Sequence, residues 1–406
     1  MAYKRPKGSL ASIVVVVLLG LVMSACGSGN SNSGSGGEAG SEYKVLLLAP
    51  KSGAAAATGK AFEAATRTGI DLINADGGID GKKMSLKVVD DAGDPQVGVT
   101  AMQAELASGA NYDLIIPGVF GAVTAAVVPT LVANPALQMS SATAVNDPKK
   151  YPRYFSTGPG LVPTSQSVVA HAKEKGYKHV GVMAIDNASS RAILDVYKAS
   201  GDAEGIQVDT VVVPANAADA TPQWQQLMSK NVDAIVLAGF DATTASVSII
   251  KGKVKLGHTP PVIADNIFGA NALKSAGIAN SDVKGIELQS TKFTVARTPE
   301  STSAQMKSAM TALAKYSDGA VLPLQITTIQ ILTIALAADA ANAAGSTAGD
   351  AVAKKLEEID KSKLPHSYGP AKPFSSESHA LNFSTEDFTF FPMTLDTDDL
   401  GFKIPG

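Results

Sequence analysis

From residue 44 to residue 289 the sequence alternates short segments rich in aliphatic residues with longer segments of helical period, and this alternation narrows the fold more than any other feature. The segment 44–49 reads as a buried strand, and 86–90, 114–117, 136–139, 179–184, 207–213, 234–238, 262–264 and 285–289 as further strands. Between them, residues 60–74 place Phe62, Ala65, Gly69, Ile70 and Ile73 on one helical face. Further helices are expected from about residue 123 and near 164–175, 189–204, 221–230, 242–252, 301–316 and 321–343. Strands and helices in this order predict an α/β fold with parallel sheets covered by helices on both sides. Functional sites on such sheets lie at the carboxyl ends of the strands. At 406 residues the chain has room for about two domains.

The segment 321–343 is apolar enough to suggest a membrane span, but Pro323, Gln325, Gln330 and its threonines argue for a buried helix instead. The start of the chain reads differently from the rest. Lys4, Arg5 and Lys7 precede a short apolar stretch at 11–22 and then Met23-Ser24-Ala25-Cys26, the pattern of a secretory signal peptide over residues 1–25. The apolar stretch is short for a spanning helix, which needs about 20 residues. Small residues ahead of the lone cysteine resemble the bacterial lipobox, which implies cleavage before Cys26 and a lipid on its sulfur. Residues 26–42, rich in glycine and serine, read as a flexible tether. With one cysteine in the chain no intrachain disulfide can form.

Several functions are disfavoured by composition and spacing. Thirty-four basic and 37 acidic residues, net charge -3, are mixed along the chain and leave no basic face for nucleic acid. The five histidines have no partner at helical metal-pair spacing. The Gly53–Lys60 stretch imitates a phosphate loop, but five residues separate its glycines and Ala61 replaces the magnesium-binding hydroxyl. No Gly-x-Ser-x-Gly elbow occurs in the body, and no cysteine remains for a thiol nucleophile. Asp90, Asp91 and Asp94 lack calcium-loop spacing. The expectation is a binding protein rather than an enzyme, without cofactor or metal.

One motif is specific. Ile73-Asn74-Ala75-Asp76-Gly77-Gly78-Ile79-Asp80-Gly81-Lys82-Lys83 is followed by Val88-Val89-Asp90-Asp91-Ala92-Gly93-Asp94-Pro95. Asn74 and the paired glycines are suited to ending a helix, and Gly81 to a tight turn into a strand, so most of these residues are architectural. With Ser52-Gly53, the Gly118 loop, Ser141–Ala144, 233–240 and Asp265-Asn266, they resemble the branched-chain amino-acid-binding proteins of ABC importers over about residues 43–374. The resemblance implies the type I periplasmic-binding fold: two doubly wound lobes, 43–160 with 291–370 and 161–290 with 371–406. Three hinge passages would lie near 158–161, 290–293 and 368–374.

The same resemblance assigns candidate contacts. Ser141, Ala142 and Thr143 would offer N–H groups and a hydroxyl to a ligand carboxylate. Gly121 and Ala122 belong to the other carboxylate loop, where serines are common in the family; backbone contact survives here and hydroxyl contact does not. Thr124 is read as a cap of the helix that follows. On the second lobe Phe240 would touch the ligand, and Asp265 or Asn266 would meet an ammonium group. Asp186–Arg191 stand where many relatives have a Tyr-Gly pair. The implied function is an extracytoplasmic, membrane-tethered monomer that captures a carboxylate-bearing solute, an amino acid of branched-chain or similar type, and hands it to an ABC permease. A sensor of the same fold, or a binder of an amide or small organic acid, is the alternative.

Overall fold

The computed structural model describes residues 42–396 except 54, 143–144, 159, 187, 239–243, 266–272, 275, 296–297, 300, 317–323, 361–364 and 371. Five parallel strands form a first sheet: β1 (Tyr43–Ala49), β2 (Met84–Asp90), β3 (Leu114–Ile116), β4 (Leu137–Ser140) and β5 (Tyr154–Ser156), in the order β2-β1-β3-β4-β5. Helices α1 (Ala56–Ala75), α2 (Pro95–Ala107) and α3 (Gly121–Val127) connect the first four. A second sheet holds β6 (His179–Ile185), β7 (Gln207–Val213), β8 (Ala234–Ala238), β9 (Val262–Ala264), β10 (Ile286–Thr291) and β11 (Phe388–Pro392), ordered β11-β10-β9-β8-β6-β7. Its strands are parallel except for the β10–β11 pair. Helices α4 (Leu161–Glu174), α5 (Ala188–Glu204), α6 (Thr221–Met228) and α7 (Thr244–Leu256) belong to it. Helices α8 (Ala304–Leu313), α9 (Leu324–Ala344) and α10 (Gly349–Glu358) return to the first sheet.

The inner strands β1, β3, β6 and β8 are almost wholly apolar because both faces are covered. Val45, Leu47, Leu114 and Ile116 pack with α1, α8 and α9, while Leu46, Leu48 and Ile115 pack with Met102 of α2 and Val123 and Val127 of α3. The second sheet divides the same way, Met183, Ile185 and Leu237 on one side and Val182, Ala184 and Val236 on the other. Each such side chain, once fully buried, stabilises the fold by about 1.5–3 kcal/mol. The expected buried helix at 321–343 is α9, whose residues from Thr327 to Ala341 are all buried; among the described residues no helix is long and apolar enough to cross a membrane.

The glycine motif ends α1 as its chemistry predicts. Gly77 and Gly78 have φ of 103° and 87°, and the Gly78 N–H reaches the Ile73 carbonyl at 2.8 Å. Asn74 does more than cap. Its amide donates to the Met84 carbonyl at 2.9 Å and its oxygen accepts the Met84 N–H at 2.7 Å, which ties the end of α1 to the start of β2. Asp94 caps α2 by accepting the N–H groups of Gln96 and Val97.

Helix α2 has no counterpart in the expected elements. Only Gly98, Met102 and Glu105 are buried along it, a stripe too thin to register as an apolar period, and a Cβ at Gly98 would lie 2.8 Å from a Val123 methyl. β5, α10 and β11 are also additional. The chain leaves the first sheet after β5 and returns to it after β10, with Phe293 in the first core. The last passage comes later than 368–374. Phe374, Leu381 and Phe383 belong to the first core, and 379–381 pair alongside Ser156 before β11 joins β10. His379 holds this segment: its ring stacks on Phe155 at 3.8 Å, and its nitrogens lie 3.0 Å from the Tyr154 carbonyl and 2.9 Å from Glu357.

Candidate functional site

The carboxyl ends of β3, β4 and β5 meet around a buried serine. The Ser140 hydroxyl, on the last residue of β4, donates to the Gly118 carbonyl at 2.8 Å and accepts the Ala142 N–H at 3.0 Å. It thereby locks the loop after β3 to the loop after β4. Gly118 sits at φ 142°, and a Cβ there would crowd Thr124 and Val123 at 3.0 Å, so the loop can turn back over α3 only with glycine. Behind the serine, the Ser140 carbonyl takes the Thr157 N–H at 2.8 Å, and the Thr157 hydroxyl meets Thr333 of α9 at 2.6 Å. The Ala142 carbonyl accepts the Ser156 hydroxyl at 2.9 Å.

Against this frame Ser141 stands out. Its hydroxyl oxygen is buried and has no hydrogen-bond partner among the described residues. A buried hydroxyl left unpaired costs about 1–3 kcal/mol unless something answers it. Gly121 and Ala122 form the first turn of α3, where Phe120 in extended conformation leaves the helix start without a side-chain cap. Thr124, expected as a cap, lies inside α3, fully buried, with its hydroxyl 3.5 Å from that of Ser140. Thr143, Phe240 and Asn266 lie outside the described residues, as do Cys26 and the segments flanking it.

The loop after β2 closes one flank of the site. Asp90 accepts the Lys51 N–H at 2.7 Å and the Ala92 N–H at 2.8 Å. The Lys51 backbone, then the Ser52 hydroxyl, hold its carboxyl down to about 2. Asp91 next to it is buried; one oxygen takes the Gly93 N–H at 2.8 Å and the other has no hydrogen-bond partner among the described residues, and burial pushes its carboxyl above the ordinary range. On the second sheet Asp265 follows β9 and is almost fully buried rather than a solvated loop carboxylate, with its N–H on the Leu237 carbonyl at 2.9 Å. The Tyr197 hydroxyl of α5 is buried without a hydrogen-bond partner among the described residues, and burial, then the charge of Asp265, raise its pKa well above the usual value.

Of the expected contacts, the structure therefore brings Gly121, Ala122, Ser141 and Ala142 together at adjacent strand ends and sets Asp265 at a strand end of the other sheet. Ser140 and Thr157 were not anticipated. The one signal for Ser140 was a polar residue closing an apolar run, and nothing local marked Thr157.

Comparison with known proteins agrees with this architecture. A Leu/Ile/Val-binding protein of Rhizobium johnstonii is 28% identical over 204 residues, 49% of this chain and 55% of that protein, so the match spans about half the length of that relative. A periplasmic binding protein type 1 from Bordetella pertussis superposes with a TM-score of 0.72 at 20% identity, covering 88% of this chain and 98% of the other. The branched-chain amino acid transporter substrate-binding protein of Streptococcus pneumoniae, solved with isoleucine, gives 0.69 at 19% identity over 87% and 97%. A family profile described as periplasmic binding protein matches residues 42–384, nearly the whole body built on the two sheets, and the chain belongs to that family.

Proposed function

We propose that this protein is the extracytoplasmic receptor of an ABC importer, tethered by lipid on Cys26, and that it captures a small carboxylate-bearing solute, an amino acid of branched-chain or similar type, for delivery to a permease. The observation that carries the reading is the Ser141 hydroxyl, buried and without a partner among the described residues, beside a loop that Ser140 ties down at the carboxyl end of β4. A ligand carboxylate would supply the missing partner. The Leu/Ile/Val-binding protein of Rhizobium johnstonii and the Streptococcus pneumoniae protein solved with isoleucine point to the same ligand class.

The ligand would bridge Ser141 and Thr143 on the first lobe and Phe240 or Asp265 on the second. Contacts to both lobes form only when the cleft shuts, so ligand shifts an open–closed equilibrium. Moving the closed form from about 1% to 99% needs about 5.5 kcal/mol of preference. One buried apolar side chain supplies about 1.5–3 kcal/mol, and charge-assisted hydrogen bonds from the two lobes supply the rest. A permease would then distinguish loaded from empty receptor by shape.

The test is calorimetry with isoleucine, leucine, valine and their amides. Ser141→Ala is expected to weaken amino-acid binding by about 10–150-fold, the equivalent of 1.5–3 kcal/mol for a hydrogen bond to a charged group, and to leave amide binding less affected. Equal affinity in wild type and variant would remove the carboxylate from Ser141. For the anchor, a palmitate analogue fed to cells should label the wild type and not Cys26→Ser; an unlabelled wild type would refute lipidation.

A further inference from the structure

Helix α1 starts beside the carboxyl ends of the strands and runs back to their amino ends, where Asn74 joins Met84 at the start of β2. Towards this end α1, α8 and α9 line an open cavity of about 430 Å³. It exists because the helices meet there through small side chains, Ala304 and Ala309 of α8 and Ala335 of α9, where larger ones would fill the space. Leu72, Ile331 and Tyr368 supply apolar walls. Gln305 and Ser308 reach it from α8 with polar groups. Its volume and its apolar walls with a few polar groups are those of a small-molecule pocket.

The charge at the mouth selects the ligand. His366 lines the cavity between two carboxylates, with Nδ1 2.7 Å from Asp339 and Nε2 3.1 Å from Asp76. Asp339 is buried on α9 and is committed to the loop, accepting the His366 and Ser367 N–H groups at 3.2 and 3.1 Å and the Ser367 hydroxyl at 2.8 Å. Asp76 is 70% exposed and uses one oxygen on the imidazole. Lys83 donates to the Asn74 carbonyl and does not line the cavity. Among the described residues here, two carboxylates against one imidazole leave one net negative charge when His366 is protonated and two when it is not. Either state attracts a cation and repels an anion. We propose that this cavity is a second binding site, separate from the interlobe cleft, for a small amphiphilic amine whose apolar body enters between α1, α8 and α9 and whose ammonium rests on Asp76.

The experiment titrates the protein with hexylammonium, 1-hexanol and hexanoate, read by ligand-observed NMR. Hexylammonium should bind most tightly and hexanoate least. Asp76→Asn should weaken hexylammonium about three- to fivefold, the scale of an exposed ion pair, and leave hexanol unchanged. Ala335→Leu fills the cavity and should abolish binding of both; Ala304→Phe, at an exposed position on the rim, gives the same readout without altering the core. Saturating isoleucine should leave hexylammonium binding intact. Competition by isoleucine would put the amine in the cleft, and full affinity in both filled variants, or hexanoate binding as tightly as the amine, would overturn the proposal.

Discussion

Replacing Ser140 by alanine isolates what holds the candidate site together. The hydroxyl makes two short bonds, 2.8 Å to the Gly118 carbonyl and 3.0 Å from the Ala142 N–H, beside a long contact of 3.5 Å to the Thr124 hydroxyl, and the residue is fully buried. Each bond is worth about 0.5–1.5 kcal/mol net, and each abandoned buried partner adds part of a desolvation penalty of about 1–3 kcal/mol. The change removes one oxygen and leaves little cavity, so the hydrogen-bond loss dominates. The expected destabilisation is about 2–4 kcal/mol, measured by urea denaturation with an unchanged m-value. Binding should respond as well, because the freed loops lose the alignment of Ser141 with the first turn of α3. On the proposed function, isoleucine affinity should therefore also fall in Ser140→Ala, through the displaced loops. A stability loss below about 1 kcal/mol together with unchanged affinity would show that the two loops are held by something other than this hydroxyl.

The paired glycines separate backbone strain from steric conflict. Gly77→Ala meets open space and should cost only the left-handed backbone penalty, about 1–2 kcal/mol, whereas Gly78→Ala would drive a Cβ to 2.1 Å from the Lys82 carbonyl and should cost at least about 3 kcal/mol by the same denaturation assay. The hydrogen bond to Asp339 chiefly raises the pKa of His366 above its ordinary 6.5, so the pair's contribution is complete below that pH and is lost as pH rises through the higher folded value. Thermal unfolding followed from about pH 6 to pH 9 should decline less steeply in His366→Gln than in the wild type; equal slopes would mean the imidazole is not charged there. Asp90 titrates in the opposite sense. Held down to about 2 from an ordinary 3.8, it adds stability above about pH 4 that disappears as pH falls towards 2, and Asp90→Asn should flatten that acid limb.

The α/β class was readable from the sequence because a strand buried on both faces must be apolar at nearly every position, and runs such as Val45–Ala49 are set off from helices by that property. The glycine motif was readable because positive φ is a local demand that few residues meet, and Gly77 and Gly78 meet it. Elements with weak local signals were not readable. Helix α2 buries three residues with a glycine among them, and β5 and β11 become strands only because a neighbour offers a ladder to pair with. The late return of the chain to the second sheet was set by His379 lodging between Phe155, the Tyr154 carbonyl and Glu357, contacts spanning more than two hundred residues for Tyr154. At the site, local pattern could nominate Ser141 and Ala142 as a turn after a strand. Only the packed structure decided that Ser140 faces inward to join two loops while Ser141 keeps a buried hydroxyl unpaired, because which side of a strand end is covered depends on the helices that pack against it.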